Sequence, residues 1–287
     1  MKVAVAQIEC VLGDLSRNIE KHIHYCEEAI KNKAELIVFP ELSLTGYSLK
    51  DINTDIAIVP GSSKLIAKLK QVSKKIDIVC GLAEEGEKYD IFNSAAYFSD
   101  GEFKFTHKKV YPPTYGLFEE MRYFSRGKDC RAHETKFGKL ALLVCEDLWH
   151  ISLPYIAAMD GAKIIIGIAA SPTKLATGSE TFANYDVNTQ QHRTFARLLS
   201  SYMIFSNRVG YEDGVNFWGG SEVVDPFGTV IAVAKIFEED MIYADIDMSE
   251  VKRARQQARH FLDENIDITL KNLERIESES KSKVPGQ

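Results

Sequence analysis

The five cysteines, at positions 10, 26, 80, 130 and 145, contain no CxxC pair and are odd in number. Neither a disulfide framework nor a structural zinc site is expected, and each cysteine reads as a free thiol. The seven histidines show no HExxH and no paired spacing on one helical face, so no metal site and no cofactor is expected. Long apolar runs are also missing. Residues 2–8 suit a strand but are too short for a signal-peptide core, and nothing approaches the roughly 20 apolar residues of a membrane helix. Basic residues number 35 against 41 acidic ones, a net charge of −6 with no concentrated basic patch. That excludes a phosphate-binding surface for nucleic acid and mainly favours solubility. With no low-complexity linker to divide its 287 residues, the chain reads as one cytoplasmic unit.

What is present is an ordinary globular composition, 45% hydrophobic and 26% charged, enough for a large core. Strand and helix signals alternate. KVAVAQI (2–8) reads as a buried strand, and a helix after Asp14 places Ile19, Ile23, Cys26 and Ile30 on one stripe. LIVF (36–39) and IDIVCGL (76–82) are further strands, flanking a helix that Ser62 is expected to cap and that carries Leu65, Leu69 and Val72. NSAAYF and EFKFTHK form a hairpin turning at Ser99, Asp100 and Gly101. Residues 111–128 have neither period and read as a long ordered loop, a kind that is often functional.

KLALLVC (139–145) is apolar enough to be buried on both faces, and KIIIGI (163–168) is its expected parallel neighbour beyond a short helix at 153–159. A helix near 188–201 leads to YMIFSN. GGSEVV and TVIAVA form a hairpin around DPFG, MIYADID (241–247) is a last strand, and a basic helix from Glu250 precedes a polar tail. Two sheets packed face to face with helices outside is the simplest α/β arrangement, with a single doubly wound sheet as the alternative.

Three residues at strand ends carry the candidate chemistry. Cys145 closes the most apolar strand, where strand ends of α/β folds face the crevice; a buried structural thiol is the ordinary reading of such a cysteine. Glu41 follows LIVF and Pro40, where a poorly solvated carboxylate suits a general base, though a loop carboxylate capping a turn is the plainer reading. Lys109 enters the aromatic loop VYPPTYG and suits an oxyanion donor, against the default of a surface lysine pair with Lys108. Together they form the set that an ordinary thiol needs: a base and a cationic neighbour.

FPELSLTGY (39–47), HKKVYPPTYGLFEEMRYF (107–124) and LLVCEDLWH (142–150) resemble the nitrilase superfamily of carbon-nitrogen hydrolases. The resemblance extends through NRVGYEDG and FWGGSEVVDPFGTV to about residue 245. It implies a four-layer αββα sandwich spanning 1–262, with 263–287 a C-terminal extension that contacts a dimer partner or is partly disordered. It also implies a Glu41, Lys109 and Cys145 triad, with Glu120, in an FxExRxF spacing, orienting the lysine and the attacking water. Lys109 rather than Lys108 matches because it lies seven residues before Gly116. Thioester chemistry, no cofactor, and a homodimer or higher homo-oligomer follow from the same resemblance.

The segments CEDLWH and LTGYSLKD look most like the glutaminase domain of glutamine-dependent NAD synthetases, while no SGGxDS loop of a synthetase half is present. The expected activity is therefore hydrolysis of a small carboxamide with release of ammonia. Glutaminase supply to a separate synthetase and N-carbamoyl amide hydrolysis are the enzymatic alternatives. An inactive scaffold binding a partner is the non-enzymatic one, and a redox-sensing thiol lacks a nearby resolving cysteine. Tyr47, Tyr115, Glu146, Trp149 and His150 are the candidate substrate-binding residues, although an aromatic beside a strand is more often core.

Overall fold

The computed structural model describes residues 1–173 and 178–282. Alternation along β1 (Lys2–Gln7) sends Val3 and Val5 to one face and Ala4 and Ala6 to the other, and both pairs are fully buried. A strand buried on both faces needs a packing layer on each side. On the alanine side lies α1 (Leu15–Lys31), capped by Asp14, whose carboxylate accepts from the Arg17 N–H at 3.0 Å. It sets Ile19, Cys26 and Ala29 onto the sheet. After β2 (Leu36–Val38) come the single-turn α2 (Asn53–Ile56) and α3 (Ala67–Val72), whose Leu69 joins the same outer core. The strands β3 (Asp77–Glu85), β4 (Ile91–Ser99) and β5 (Glu102–Lys108) continue the sheet. Asp100 and Gly101 join the last two with φ of 55° and 81°. Two consecutive positive φ values are the signature of a type I′ hairpin turn, as the Ser-Asp-Gly chemistry predicts.

The second sheet starts beyond the single-turn α4 (Glu120–Tyr123) with β6 (Ala132–Thr135) and β7 (Gly138–Val144). Next come α5 (Ser152–Met159), β8 (Ile164–Ala169), the short β9 (Pro172–Thr173) and α6 (Gly178–Leu199). Then follow β10 (Tyr202–Asn207), β11 (Val209–Glu212), β12 (Val215–Trp218), β13 (Glu222–Val224) and β14 (Val230–Val233). The last elements are β15 (Asp240–Asp245), α7 (Met248–Gln257) and α8 (Ile266–Ser282).

The two six-stranded sheets have the orders β15-β1-β2-β3-β4-β5 and β14-β13-β10-β8-β7-β6, with β7 and β8 parallel as expected and β10 parallel to β8 as well. Leu140, Leu142 and Val144 point into the layer between the sheets, where they meet Val3, Val5 and Val79. Ala141 and Leu143 point outward to Leu153, Ala157 and Phe195 on the covering helices. The result is a four-layer αββα sandwich. Truncating a central side chain such as Leu142 to alanine would cost about 2–5 kcal/mol.

Two local expectations are corrected. Ser62 does not cap a helix: the N–H groups of Ser62 and Ser63 both bond to the Val59 carbonyl in a turn, and the helix begins only at Ala67 after Ile66. Leu65 is consequently exposed. The polar tail is in fact helical, because apolar residues recur at 266, 270, 273 and 276 on α8. In addition, β11, β12 and β9 pair as a separate small sheet that the alternation alone does not reveal. Residues 283–287, the end of the expected extension, lie outside the described residues.

Candidate active site

Glu41, Lys109 and Cys145 leave the ends of β2, β5 and β7. Beneath Glu41 the chain crosses β3 at Gly81, where an added Cβ would stand 2.2 Å from the Leu42 nitrogen and 2.6 Å from the Pro40 carbonyl oxygen. Only a glycine lets the Pro40–Glu41–Leu42 turn lie this close, and Gly81 N–H donates to that carbonyl at 3.1 Å. Lys109 is held by its backbone, N–H donating to Asn93 O and carbonyl accepting from Gly127 N–H, both at 2.8 Å. Cys145 sits at the sharp passage from β7 into a short 3₁₀ turn, Cys145–Trp149, with φ of 47°. A left-handed non-glycine residue costs about 1–3 kcal/mol and persists only where its surroundings enforce it.

The structure brings the first three expected carboxylate and ammonium groups together. Lys109 Nζ donates to Glu41 Oε1 at 2.9 Å and to Glu120 Oε1 at 2.7 Å, with all three side chains buried. Tyr47 Oη donates to the same Glu120 oxygen at 2.7 Å. Asn93 Nδ2 donates to Glu41 Oε1 at 2.7 Å and reaches Glu120 Oε2 at 3.4 Å. Across the sheet interface, Ala170 N–H donates to Glu41 Oε2 at 2.6 Å.

Electrostatics follow from this crowding. Burial works against the charge on Lys109, but Glu120 and Glu41 outweigh it and hold the ammonium well above its ordinary pKa. Burial, with Glu41 adding and Lys109 opposing, raises Glu120. The Cys145 thiol is pushed well up, first by burial and then by Glu41, while Lys109 pulls it down. A thiol in these surroundings stays protonated until a base takes its proton.

The remaining expected residues lie around this cluster at different depths. Tyr115 is exposed, and its hydroxyl donates to Glu146 Oε2 at 2.9 Å. His150 stacks on Tyr111 with centroids 3.5 Å apart, and its Nε2 lies 3.9 Å from Glu146 Oε1. Trp149 is exposed, with no hydrogen bond or ring contact to the cluster among the described residues.

Sequence reasoning missed four participants. Asn93 could have been noticed as a polar residue inside the apolar strand IFNSAAYF. Glu212 binds the N–H groups of Tyr47 and Ser48 at 2.9 and 2.6 Å and is itself paired with Arg208 at 2.9 Å, fixing the Tyr47 loop. Asp147 is fully buried two residues past Cys145 and accepts four hydrogen bonds. Nothing in the sequence names the Ala170 N–H as a partner.

The carbon-nitrogen hydrolase family model matches residues 2–256, and the chain belongs to this family. It is 29% identical over 256 residues to a glutamine-dependent NAD(+) synthetase of Aquifex aeolicus, covering 89% of this chain but 44% of that protein. The chain thus spans less than half the length of that relative. It is 27% identical over 281 residues to a probable nitrilase of Schizosaccharomyces pombe, covering 94% of this chain and 97% of that one. Among solved structures, a carbon-nitrogen hydrolase from Helicobacter pylori superposes with a TM-score of 0.83 at 26% identity, covering 95% and 98% of the two chains.

Proposed function

We propose that the chain hydrolyses the C–N bond of a small linear carboxamide through a cysteine thioester, releasing ammonia. The observation that carries this reading is the buried Glu41–Lys109–Glu120 cluster, with ion pairs of 2.9 and 2.7 Å, whose charges act on Cys145. Glu41 takes the Cys145 proton as sulfur bonds to the amide carbon, and Lys109 with the Glu146 backbone N–H stabilises the oxyanion. As the tetrahedral carbon collapses, the C–N bond breaks and Glu41 gives its proton to the leaving nitrogen. Glu41 then deprotonates a water that attacks the thioester, and the departing sulfur recovers a proton from Glu41. Glu120 orients Lys109 and that water. Cys145→Ala is expected to release no ammonia above background, and turnover in that variant sinks the reading.

A glutaminase reading of the same site is supported by the likeness to the Aquifex protein and by Glu146. This partly buried carboxylate, bonded to the exposed Tyr115 hydroxyl beside Cys145, suits an ω-amide that carries an ammonium group. Ammonia release should be measured across glutamine, other ω-amides, short aliphatic amides, carbamoyl amino acids and a nitrile. Preference for glutamine favours this reading, and activity on the nitrile alone overturns the amidase one.

The same proposal takes residues 1–262 as the hydrolase domain of a cytoplasmic homo-oligomer, with 263–287 contacting a second copy. Exposed Ile266, Leu270, Leu273 and Ile276 on α8 support that contact. Among the described residues no helix is long and apolar enough to cross a membrane.

A further inference from the structure

We propose that Asp147 is a positioning residue that fixes the Cys145 sulfur relative to the Lys109 ammonium, an inference that rests on the hydrolase reading above. Its carboxylate is fully buried inside the turn that begins at Cys145. Oδ2 accepts from the backbone N–H of Val144 at 3.1 Å and lies 2.8 Å from His107 Nε2. Oδ1 accepts from the N–H groups of Val110 and Tyr111, both at 3.0 Å. Val144 immediately precedes Cys145, Val110 immediately follows Lys109, and His107 lies two residues before it. One side chain therefore binds the flanks of both reacting positions.

The chemistry explains why such a link matters. Lys109 extends from the first sheet and Cys145 from the second, and 36 residues (145 − 109) separate them along the chain. An oxyanion must lie about 2.7–3.1 Å from the donors that stabilise it, so the two sheets have to hold a fixed relative position at this spot. The left-handed Cys145 backbone also needs external enforcement, and the Val144 N–H bond to Asp147 supplies it at the preceding residue. Hydrogen bonds to a charged carboxylate are roughly twice as strong as neutral ones, which suits a clamp of this kind.

Asp147→Asn separates positioning from folding, because it keeps the size of the side chain. Its Oδ1 still accepts from Val110 and Tyr111, while Nδ2 faces the Val144 N–H as donor against donor. Assayed on the best amide of the panel, kcat is expected to fall about 100-fold, the effect of a misplacement of roughly 1 Å, with KM within about threefold. The urea midpoint should fall, because the buried Val144 N–H loses its acceptor, but the variant should stay folded without urea and Cys145 should still be alkylated by iodoacetamide.

His107→Phe, which removes one contact, is expected to lower kcat about tenfold at unchanged KM. Combining it with Asp147→Asn should add no further loss. If Asp147→Asn does not fold, His107→Phe is judged by the same criterion. Wild-type kcat in the variant that folds, or a rise in KM at unchanged kcat, overturns the positioning role. Ammonia release by Cys145→Ala, measured in parallel, would instead overturn the hydrolase reading itself.

Discussion

Replacing Lys109 by methionine keeps an unbranched side chain of similar length and removes only the ammonium. Two buried carboxylates, Glu41 and Glu120, would each lose a charge-assisted bond, of 2.9 and 2.7 Å. Stranding a buried charge by removing its partner costs about 3–5 kcal/mol, so urea unfolding at pH 8 should show a deficit of that order. The deficit depends on pH. Glu120 is already raised by burial and by Glu41, with Lys109 opposing. Without the lysine its folded pKa rises further above its unfolded value of roughly 4.3. A group raised in this way contributes its stability below the unfolded pKa and loses it as pH rises through the folded one. The variant should therefore approach wild type toward pH 4.5 and fall away from it between there and pH 8. Adding Glu120→Gln, which replaces the stranded charge by an amide, should recover about 1–3 kcal/mol at pH 8 without restoring ammonia release. Turnover of the single variant should drop at least about 100-fold, the effect of losing one oxyanion donor. A deficit under about 1 kcal/mol at pH 8, or one that does not shrink on acidification, refutes the account of Lys109 as the central countercharge.

Gly81→Ala places a methyl 2.2 Å from the Leu42 nitrogen; the Glu41 turn must move, so a loss of about 3 kcal/mol in urea unfolding and a collapse of turnover are expected, and a near-silent variant contradicts the close approach. Glu41→Gln removes the side chain that, after burial, contributes most to raising the Cys145 thiol. Its alkylation by iodoacetamide should therefore have a lower pH midpoint than in wild type while ammonia release is lost, and an upward shift would contradict the charge assignment. Leu270→Glu with Leu273→Glu should reduce the molar mass found by light scattering, and an unchanged mass removes α8 from the proposed interface.

The parts of the fold legible in the sequence are those whose periodicity reports burial directly. KVAVAQ and KLALLV are apolar on both faces, and both strands lie between packed layers. The Ser-Asp-Gly hairpin was legible because positive φ at two successive positions demands that chemistry. The α8 helix was obscured because its apolar residues are spaced among charges, so average composition hides a stripe that the helical period reveals. At the site, Glu41, Lys109, Glu120 and Cys145 were legible as a set through the three motif blocks, each being ambiguous alone. Asn93 and Asp147 were not legible, because their meaning lies in partners brought in by the sheets: Asn93 bonds Glu41 52 positions away, and Asp147 bonds His107 40 positions away.

A half-buried thiol with a raised pKa looks ill suited to nucleophilic attack, yet the charge balance of the cluster resolves this within the proposed reaction. With the thiol neutral, two carboxylates and one ammonium leave one net negative charge on side chains that are themselves buried. Losing the proton to solvent would add a second, which, after burial itself, is what raises the Cys145 thiol. Transfer to Glu41 instead neutralises one carboxylate as the thiolate appears, so the total does not change. Attack then moves the negative charge from sulfur to the carbonyl oxygen, where Lys109 and a backbone N–H receive it. Expulsion of ammonia returns the proton from Glu41 and restores the starting count. The high thiol pKa thus restrains the sulfur when no substrate is bound, and Glu120 keeps the Lys109 ammonium paired with a carboxylate after Glu41 has taken the proton.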